Sequence, residues 1–391
     1  MRIVVAHSFY RIPGGEDRYV RQQVELLSRD HTVRLEERVN AALREGPATA
    51  AGMVRHPHER TRIRQAIREF QPDVVHIHNP YPSFGPEAHL AANAAGVPLV
   101  MTAHNFRLRC PNGLTFTEGA TCTRCVRGRY DHAVRHACFP TLSQRTAYAA
   151  ALWIHRFVLR LEEHVDLYVA PSGFVRRRLV EWGIPVERTM VVRNFTVPPA
   201  VAPPLGDRGL YLGRLSAEKG VSTLLEALRL AGDPPFDIVG GGPQEVQLRS
   251  EAASLGLRRV RFVGPIAAAE VPGAIADARY LVVPSVWDEN APLAALEAMG
   301  AGRPVVASDA GGLPELVADG RGVLVPPGSA AALADAVEAY ADDVAAAAVD
   351  GRRARDFVVA ESSSGTHLAR LEAAYAVAIE LRRRRPPRGP R

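Results

Sequence analysis

Glu289 and Glu297 stand eight positions apart in "WDENAPLAALEAMGAGRPVVAS" (287–308), a stretch otherwise filled mainly by Ala, Leu, Met, Pro and Val. On a helix that spacing is about two turns, so both carboxylates could serve one ligand. Ionised carboxylates accept hydrogen bonds from pairs of hydroxyls, so one Glu could hold a sugar and the other a ribose. Asn290, Ala291, Pro292 and Leu293 follow the first Glu, and Pro292 suits a helix's first turn. The N–H groups around such a terminus, with the positive end of the dipole, would favour a phosphate. One surface Glu and one capping Glu would give the same spacing.

The cations are as informative as the acids. The chain has 47 Arg and one Lys, Lys219, in "GRLSAEKG" (213–220). A loop at a strand end that carries Arg214 and Lys219 can bracket a diphosphate; an exposed basic turn is the plainer reading. "IVGGGPQ" (238–244) reports a tight turn, and Gly264 and Pro265 in "FVGPI" (262–266) could offer backbone groups to a base edge. In "IPGGEDRYV" (12–20), Gly14 and Gly15 precede a helix with an acid-rich start and would let a ligand approach the backbone closely. His104 ends the strand "VMTAHNF"; imidazole suits contact with a reacting hydroxyl near neutral pH, although a lone His is often structural.

All four cysteines, Cys110, Cys122, Cys125 and Cys138, fall within 29 residues. A central Cys-x2-Cys flanked by one Cys on each side can close a tetrahedral zinc site. Structural zinc, unligated or redox-labile thiols, and an iron–sulfur cluster are the readings open here.

Behind these residues the chain alternates short β-branched runs with amphipathic stretches, which predicts parallel α/β sheets. At 391 residues it exceeds one ordinary core. The expected division is a first Rossmann-like domain over 1–197 with the cysteine insert at 110–138, and a Pro-rich linker over 198–206. A second Rossmann-like domain follows over 207–360, then a helix over 361–383 returning to the first domain, and a basic tail over 384–391. The expected architecture is two doubly wound sheets with the ligand in an inter-domain cleft, at the carboxyl ends of the strands.

Composition narrows the function classes. An apolar content of 47% with 23% charged residues is that of a globular protein, not a disordered one. "MRIVVAHSFY" reads as a first strand rather than a signal peptide. No window approaches about 18 apolar residues free of charge, so no membrane span is expected. A cytoplasmic location follows, with a peripheral place at the inner membrane face left open. Residues 1–206 hold 27 Arg against 18 Asp and Glu, a net of +9, whereas 207–391 hold 21 cations against 24 acids, a net of −3. The first half therefore suits an anionic or lipid-linked partner, or is a solvated Arg-rich surface. Nucleic acid is not expected: no basic stripe is interleaved with aromatics.

Taken in order, "GGED", "MTAHNF", "APSGFV", "GRLSAEKG", "IVGGGP", "VVPSVWDENAPLAALEAMGAGRPVVAS" and "GGLPELV" resemble the retaining family 4 glycosyltransferases of GT-B fold. The resemblance spans about residues 1 to 375, and Glu-x7-Glu is its most specific element. It implies that Glu289 contacts donor-sugar hydroxyls and Glu297 the ribose. Arg214 and Lys219, beside Gly213, would hold the diphosphate and stabilise the leaving group. Gly14 and Gly15 would face the donor phosphates and the acceptor, and His104 would lie beside the reacting centre. The backbone of Asn290, Ala291, Pro292 and Leu293 would complete the cradle. The implied donor is a UDP- or GDP-type nucleotide sugar, with retention and without a catalytic metal.

Two features depart from the family pattern: "NAP" where many relatives have Phe-Gly, and the cysteine insert, which some bacterial members that build polysaccharides share. Because the insert follows His104, it is expected to shape the acceptor site. The competing readings are a nucleotide-sugar epimerase, a phosphorylase, and a zinc-stabilised binding protein. The first needs an acid/base pair that is not visible; the second usually needs a longer chain or a Lys-bound cofactor. The third leaves the cleft motifs without a purpose.

Overall fold

The computed structural model describes residues 1–11, 14–40 and 52–385. They fall into two compact units. The first comprises Met1–Thr117, Cys122–Val192 and the chain from Leu368 onward; the second comprises Glu118–Thr121 and Arg193–His367.

The sheet of the first unit is built from β1 (Arg2–Phe9), β2 (Thr32–Val39), β3 (Val74–Ile77), β4 (Leu99–Thr102), β7 (Leu167–Ala170) and β8 (Thr189–Val191). Its order is β2-β1-β3-β4-β7-β8, parallel throughout. A two-strand hairpin, β5 (Phe116–Thr117) with β6 (Ala120–Thr121), lies in the cysteine insert. Helices cover both faces, so the central strands are buried without alternation: β3 reads "VVHI" and all four residues are buried. Strand β8 went unseen in the sequence because three residues, "TMV", give no periodicity to detect.

The second sheet comprises β9 (Arg208–Leu212), β10 (Phe236–Val239), β11 (Val260–Gly264), β12 (Ala278–Val283), β13 (Val305–Ser308) and β14 (Gly322–Val325). Its order, β11-β10-β9-β12-β13-β14, is that of a doubly wound dinucleotide-binding sheet. The chain reverses direction across the sheet between β9 and β12, and the crevice outside that pair is where such sheets take ligands. In the first sheet the corresponding point lies between β1 and β3.

Two expected boundaries move. The first unit ends at Val192 rather than 197, and 198–206 is no free linker but a strap fastened to the second unit. Arg303, fully buried, donates to the carbonyls of Pro203 and Pro204, and Arg355 donates to those of Pro199 and Ala200. The sequence hides this because main-chain acceptors leave no residue signature. The last helix, Ser364–Arg384, belongs to the second unit only as far as His367. Beyond it, Leu371, Ala374, Tyr375 and Ala378 are wholly buried, and Arg385 meets Asp166 of the first unit at 3.0 Å. Of the expected basic tail, 386–391 lie outside the described residues, as do Ile12 and Pro13 of the glycine motif. Among the described residues no helix is long and apolar enough to cross a membrane.

Candidate active site

The loops after β9 and β12 meet at the reversal point of the second sheet. Lys219 closes a short 3-10 turn (Ala217–Lys219) and places Nζ 2.7 Å from Oε1 of Glu289. Ser285 donates to the same oxygen at 2.6 Å, and the ammonium lies 5.1 Å from the centre of the Trp287 ring. Glu289 is only 4% exposed. Burial alone would raise its pKa, but Lys219, Ser285 and Trp287 outweigh burial and hold the carboxyl below the ordinary range. It is an ionised acid at neutral pH, fixed in one orientation.

Arg214 behaves differently. Its side chain is about half exposed and pairs with buried Glu218 at 2.5 Å, while Nε donates to Ser216 at 3.2 Å. Glu218 was not singled out in the sequence, yet its backbone carbonyl also accepts from Val286 N at 3.0 Å, tying the two loops together. Asn194, likewise missed, donates to the carbonyl of Ala291 at 2.9 Å. Asn290 is 8% exposed and Pro292 caps the helix Leu293–Gly300, which has no side-chain cap. Pro292 thus stands just before the first turn rather than in it, and Glu297 sits half-buried on the second turn.

Close backbone approach explains the glycines. A Cβ on Gly240 would meet the Gly213 carbonyl at 1.8 Å, and one on Gly311 would meet the Glu289 carbonyl at 2.2 Å. Gly312 N donates to that Glu289 carbonyl at 2.6 Å, so "GGLPELV" braces the acid's loop. Gly264 gives its carbonyl to Gly240 N at 2.9 Å, leaving that acceptor engaged; Pro265 lies beside Gly241.

In the first unit the reversal point is lined by histidines. His104 faces His78 with a nitrogen–nitrogen distance of 2.8 Å and stacked rings. His78 packs on His76, which bonds Thr102 Oγ1 at 2.7 Å and Tyr375 Oη at 2.8 Å. Burial, then His7 and His76, hold the His104 pKa well below its usual value, so its imidazole is neutral at pH 7. The pair His76/His78 was legible only as a strand, "DVVHIHN"; alternate positions on a strand put both rings on one side. Gly14 is the N-terminal cap of the helix Gly15–Leu27, and its N–H donates to Asp17 at 3.2 Å. Asp17 also holds His7 at 2.8 Å, and a Cβ on Gly14 would meet nothing within 4 Å. Neighbouring Glu16 is raised by burial and accepts from Tyr10 Oη at 3.0 Å.

His104 also lines a partly open pocket whose wall includes His78, Tyr81, His89, Arg107, His155 and Tyr168. Three buried polar atoms of that wall, His89 Nδ1, Arg107 Nη1 and Tyr168 Oη, have no partner among the described residues. Unsatisfied polar groups of this kind suit a polar, hydroxyl-bearing ligand. Burial lowers His89 to about 3 and His155 to about 4, so both present neutral rings. Glu162, on the same wall, is engaged by both Nη atoms of Arg109.

None of the four cysteines is in a disulfide, and all four line one smaller cavity with His132 and His136. Burial pushes the Cys125 thiol up to about 12, with Cys110, Cys138 and Cys122 adding to the effect. Among the described residues no three His, Cys, Asp or Glu side chains are already disposed as a metal's ligands.

Residues 13–194 match the family model described as "Glycosyl transferase 4-like domain", and 206–343 match "Glycosyl transferases group 1". The chain is 30% identical over 359 residues to the phosphatidyl-myo-inositol mannosyltransferase of Mycobacterium leprae, covering 84% of each. It is 39% identical over 271 residues to the alpha-D-kanosaminyltransferase of Streptomyces kanamyceticus, covering 65% of this chain and 64% of that one. The sucrose-phosphate synthase of Thermosynechococcus elongatus superposes with a TM-score of 0.70 at 21% identity, over 96% of this chain and 98% of that one. HepE of Anabaena, solved with UDP-glucose, gives 0.67 at 21% over 96% and 100%. With two parallel-sheet units each matching its own half of the family, the chain belongs to the 4-like, group 1 glycosyltransferases of GT-B fold.

Proposed function

We propose that the protein is a retaining glycosyltransferase that moves a sugar from a nucleoside-diphosphate sugar to a hydroxyl acceptor. The observation that carries this reading is the Lys219–Glu289 pair at the uncapped start of helix Leu293–Gly300. A cation and a helix N-terminus would stabilise the charge that grows on the departing diphosphate, and the ionised Glu289 would hold sugar hydroxyls. Arg214 would swing from Glu218 to the same phosphates, and Glu297 would take the ribose. Gly14 and Gly15 would leave room for the donor on the first unit, with His104 beside the acceptor hydroxyl.

Retention fits the state of the first unit's groups. Glu162 is committed to Arg109, and His104 is too weakly basic to be a general base. The acceptor proton would then pass to the leaving phosphate oxygen on the same face, which preserves the anomeric configuration. Relatives are named for phosphatidyl-myo-inositol and for 2-deoxystreptamine. A polyhydroxylated ring, lipid-linked or free, is therefore the acceptor proposed for the pocket that His104 lines. Peripheral contact with an anionic membrane face belongs to the lipid-linked version, supported by the basic first half and by exposed Trp153, Phe157 and Val158. No catalytic metal is required.

The test is calorimetric binding of UDP, GDP and dTDP to the wild type and to Glu297→Ala and Lys219→Ala. One nucleotide should bind and both substitutions should weaken it; binding of none overturns the reading in favour of a non-catalytic protein. NMR of the first anomer released from a matching donor then decides retention. Sedimentation with vesicles that ignores their anionic lipid content removes the membrane contact.

A further inference from the structure

We infer that Cys110, Cys122, Cys125 and Cys138 are the four ligands of a structural zinc ion that staples the insert and, through Cys110, fixes the loop that follows His104. The four thiols come from four separate local structures, yet line one cavity. Cys110 ends the turn whose amide bonds Phe106 O at 2.9 Å. Cys122 leaves the β5–β6 hairpin with its N–H on Thr115 O at 2.6 Å, and Cys125 lies within a tight turn closed by Val126 N to Thr123 O at 3.1 Å. Cys138 ends the segment after the helix Asp131–Arg135, its N–H on Ala133 O at 3.2 Å. Such convergence, with a soft donor set and Cys-x2-Cys at the centre, is the chemistry of tetrahedral zinc.

Two further observations point to a ligand there. The insert has a small core of its own: Tyr130, Ala133 and Ala149 are buried with Cys125, Val134, Cys138 and Leu152 pack partly buried against them, and its strands are two residues long. A segment with so little apolar burial is a candidate for a metal staple. In the same cavity, His132 Nδ1 is buried without a partner among the described residues. Arg124 reaches Cys122 Sγ at 3.9 Å, a cation suited to a thiolate cluster of net negative charge. The thiols as they stand do not form a coordination sphere, so a bound zinc would have to draw them inward.

The consequence for the larger cavity is geometric and rests on the acceptor reading above. From His104 to Gly113 the chain is one compact turn, with Phe106 N bonded to Gly113 O at 3.0 Å. Asn105, Arg107 and Leu108 of that turn line the same pocket as His104, and Arg107 crosses Gly113, where a Cβ would meet its Cγ at 2.7 Å. A metal holding Cys110 would therefore fix where Arg107 presents Nη1, which has no partner among the described residues.

The full chain purified from zinc-supplemented minimal medium should contain stoichiometric zinc by mass spectrometry, absent from Cys122→Ser/Cys125→Ser and retained in His132→Gln. Cobalt added to the chelated wild type should give thiolate charge-transfer absorption with tetrahedral ligand-field bands, which tests the site even if the double variant fails to fold. Chelation should speed amide exchange severalfold in 105–138 and leave 207–343 unchanged. Metal-free protein whose thiols react at once and which gives no cobalt spectrum, a disulfide, zinc that survives the double variant, or zinc lost with His132 overturns the four-thiolate site. Unchanged exchange on chelation overturns the staple. None of these readouts involves a nucleotide, so failure of the transferase reading would show separately in the calorimetry.

Discussion

Lys219 Nζ stands 2.7 Å from Glu289 Oε1, so the only lysine of the chain and one of its two spaced glutamates are each other's partner. Neither group is placed independently: the lysine keeps the buried acid ionised, and the acid keeps the ammonium aimed across the strand ends. Lys219→Ala and Glu289→Ala are each expected to lower kcat/KM for the nucleotide sugar by about 10²–10³. The double variant should fall little further, because residues acting as a unit are not additive. Independent, multiplicative losses would show that the pair does not work as one. Lys219→Arg should not restore activity, since a planar guanidinium cannot take the place of a point charge over Trp287.

Gly311 and Gly328 separate backbone strain from site geometry. Both have positive φ, +64° and +77°, so alanine at either is strained by about 1 kcal/mol. At Gly328 a Cβ meets nothing within 4 Å; at Gly311 it would sit 2.2 Å from the Glu289 carbonyl. Gly328→Ala should lower the melting temperature and keep full turnover. Gly311→Ala should additionally displace the Glu289 loop and lose most turnover while circular dichroism stays native. Equal activity of the two variants would deny Gly311 its bracing role.

What could be read in advance follows from where the information lies. Parallel strands buried on both faces leave apolar runs, so all the strands but β8 and the two-residue pair of the insert were visible. Lys219, Glu289 and His104 were visible because a rare residue, an acid in an apolar phrase and a His at a strand end contrast with their surroundings. Glu218 and Asn194 were not, since their work is done by hydrogen bonds to partners 2 to 97 residues away. The cavity wall was hidden for the same reason: His89, Arg107, His155 and Tyr168 come from separate elements, and only folding places their polar atoms together.

The buried histidines set an acid limit. His89 and His155 have pKa values of about 3 and about 4 in the fold, against roughly 6.5 in an unfolded chain. Between those values the unfolded chain binds more protons than the folded one, so stability rises with pH. It is fully present above about pH 6.5 and is lost as pH falls toward 4 and 3, by about 1.4 kcal/mol per pH unit for each ring. His89→Gln should reduce the slope of unfolding free energy against pH between about 4 and 6.5, measured by urea titration. An unchanged slope would mean that His89 is protonated in the fold.

Arg303 makes the strongest stability prediction. It is fully buried, and its guanidinium donates to main-chain carbonyls of Pro203, Pro204, Ile275, Ala276, Ala278 and Ala301. No described carboxylate forms an ion pair with it; Asp277 acts on the charge only at longer range, and the direct partners are all oriented main-chain dipoles. Five N–H donors in a fixed fork match that set, and neither Lys nor an apolar side chain can. Arg303→Met should strand several buried acceptors and cost about 3–5 kcal/mol. Arg303→Lys should leave fewer donors for the same acceptors and also destabilise. The prolines at 203 and 204 would lose their tether, so protease nicking within 198–206 should rise in both variants before global unfolding does. Urea unfolding within about 1 kcal/mol of wild type for Arg303→Met would show that water or rearranged backbone can take over every one of these bonds.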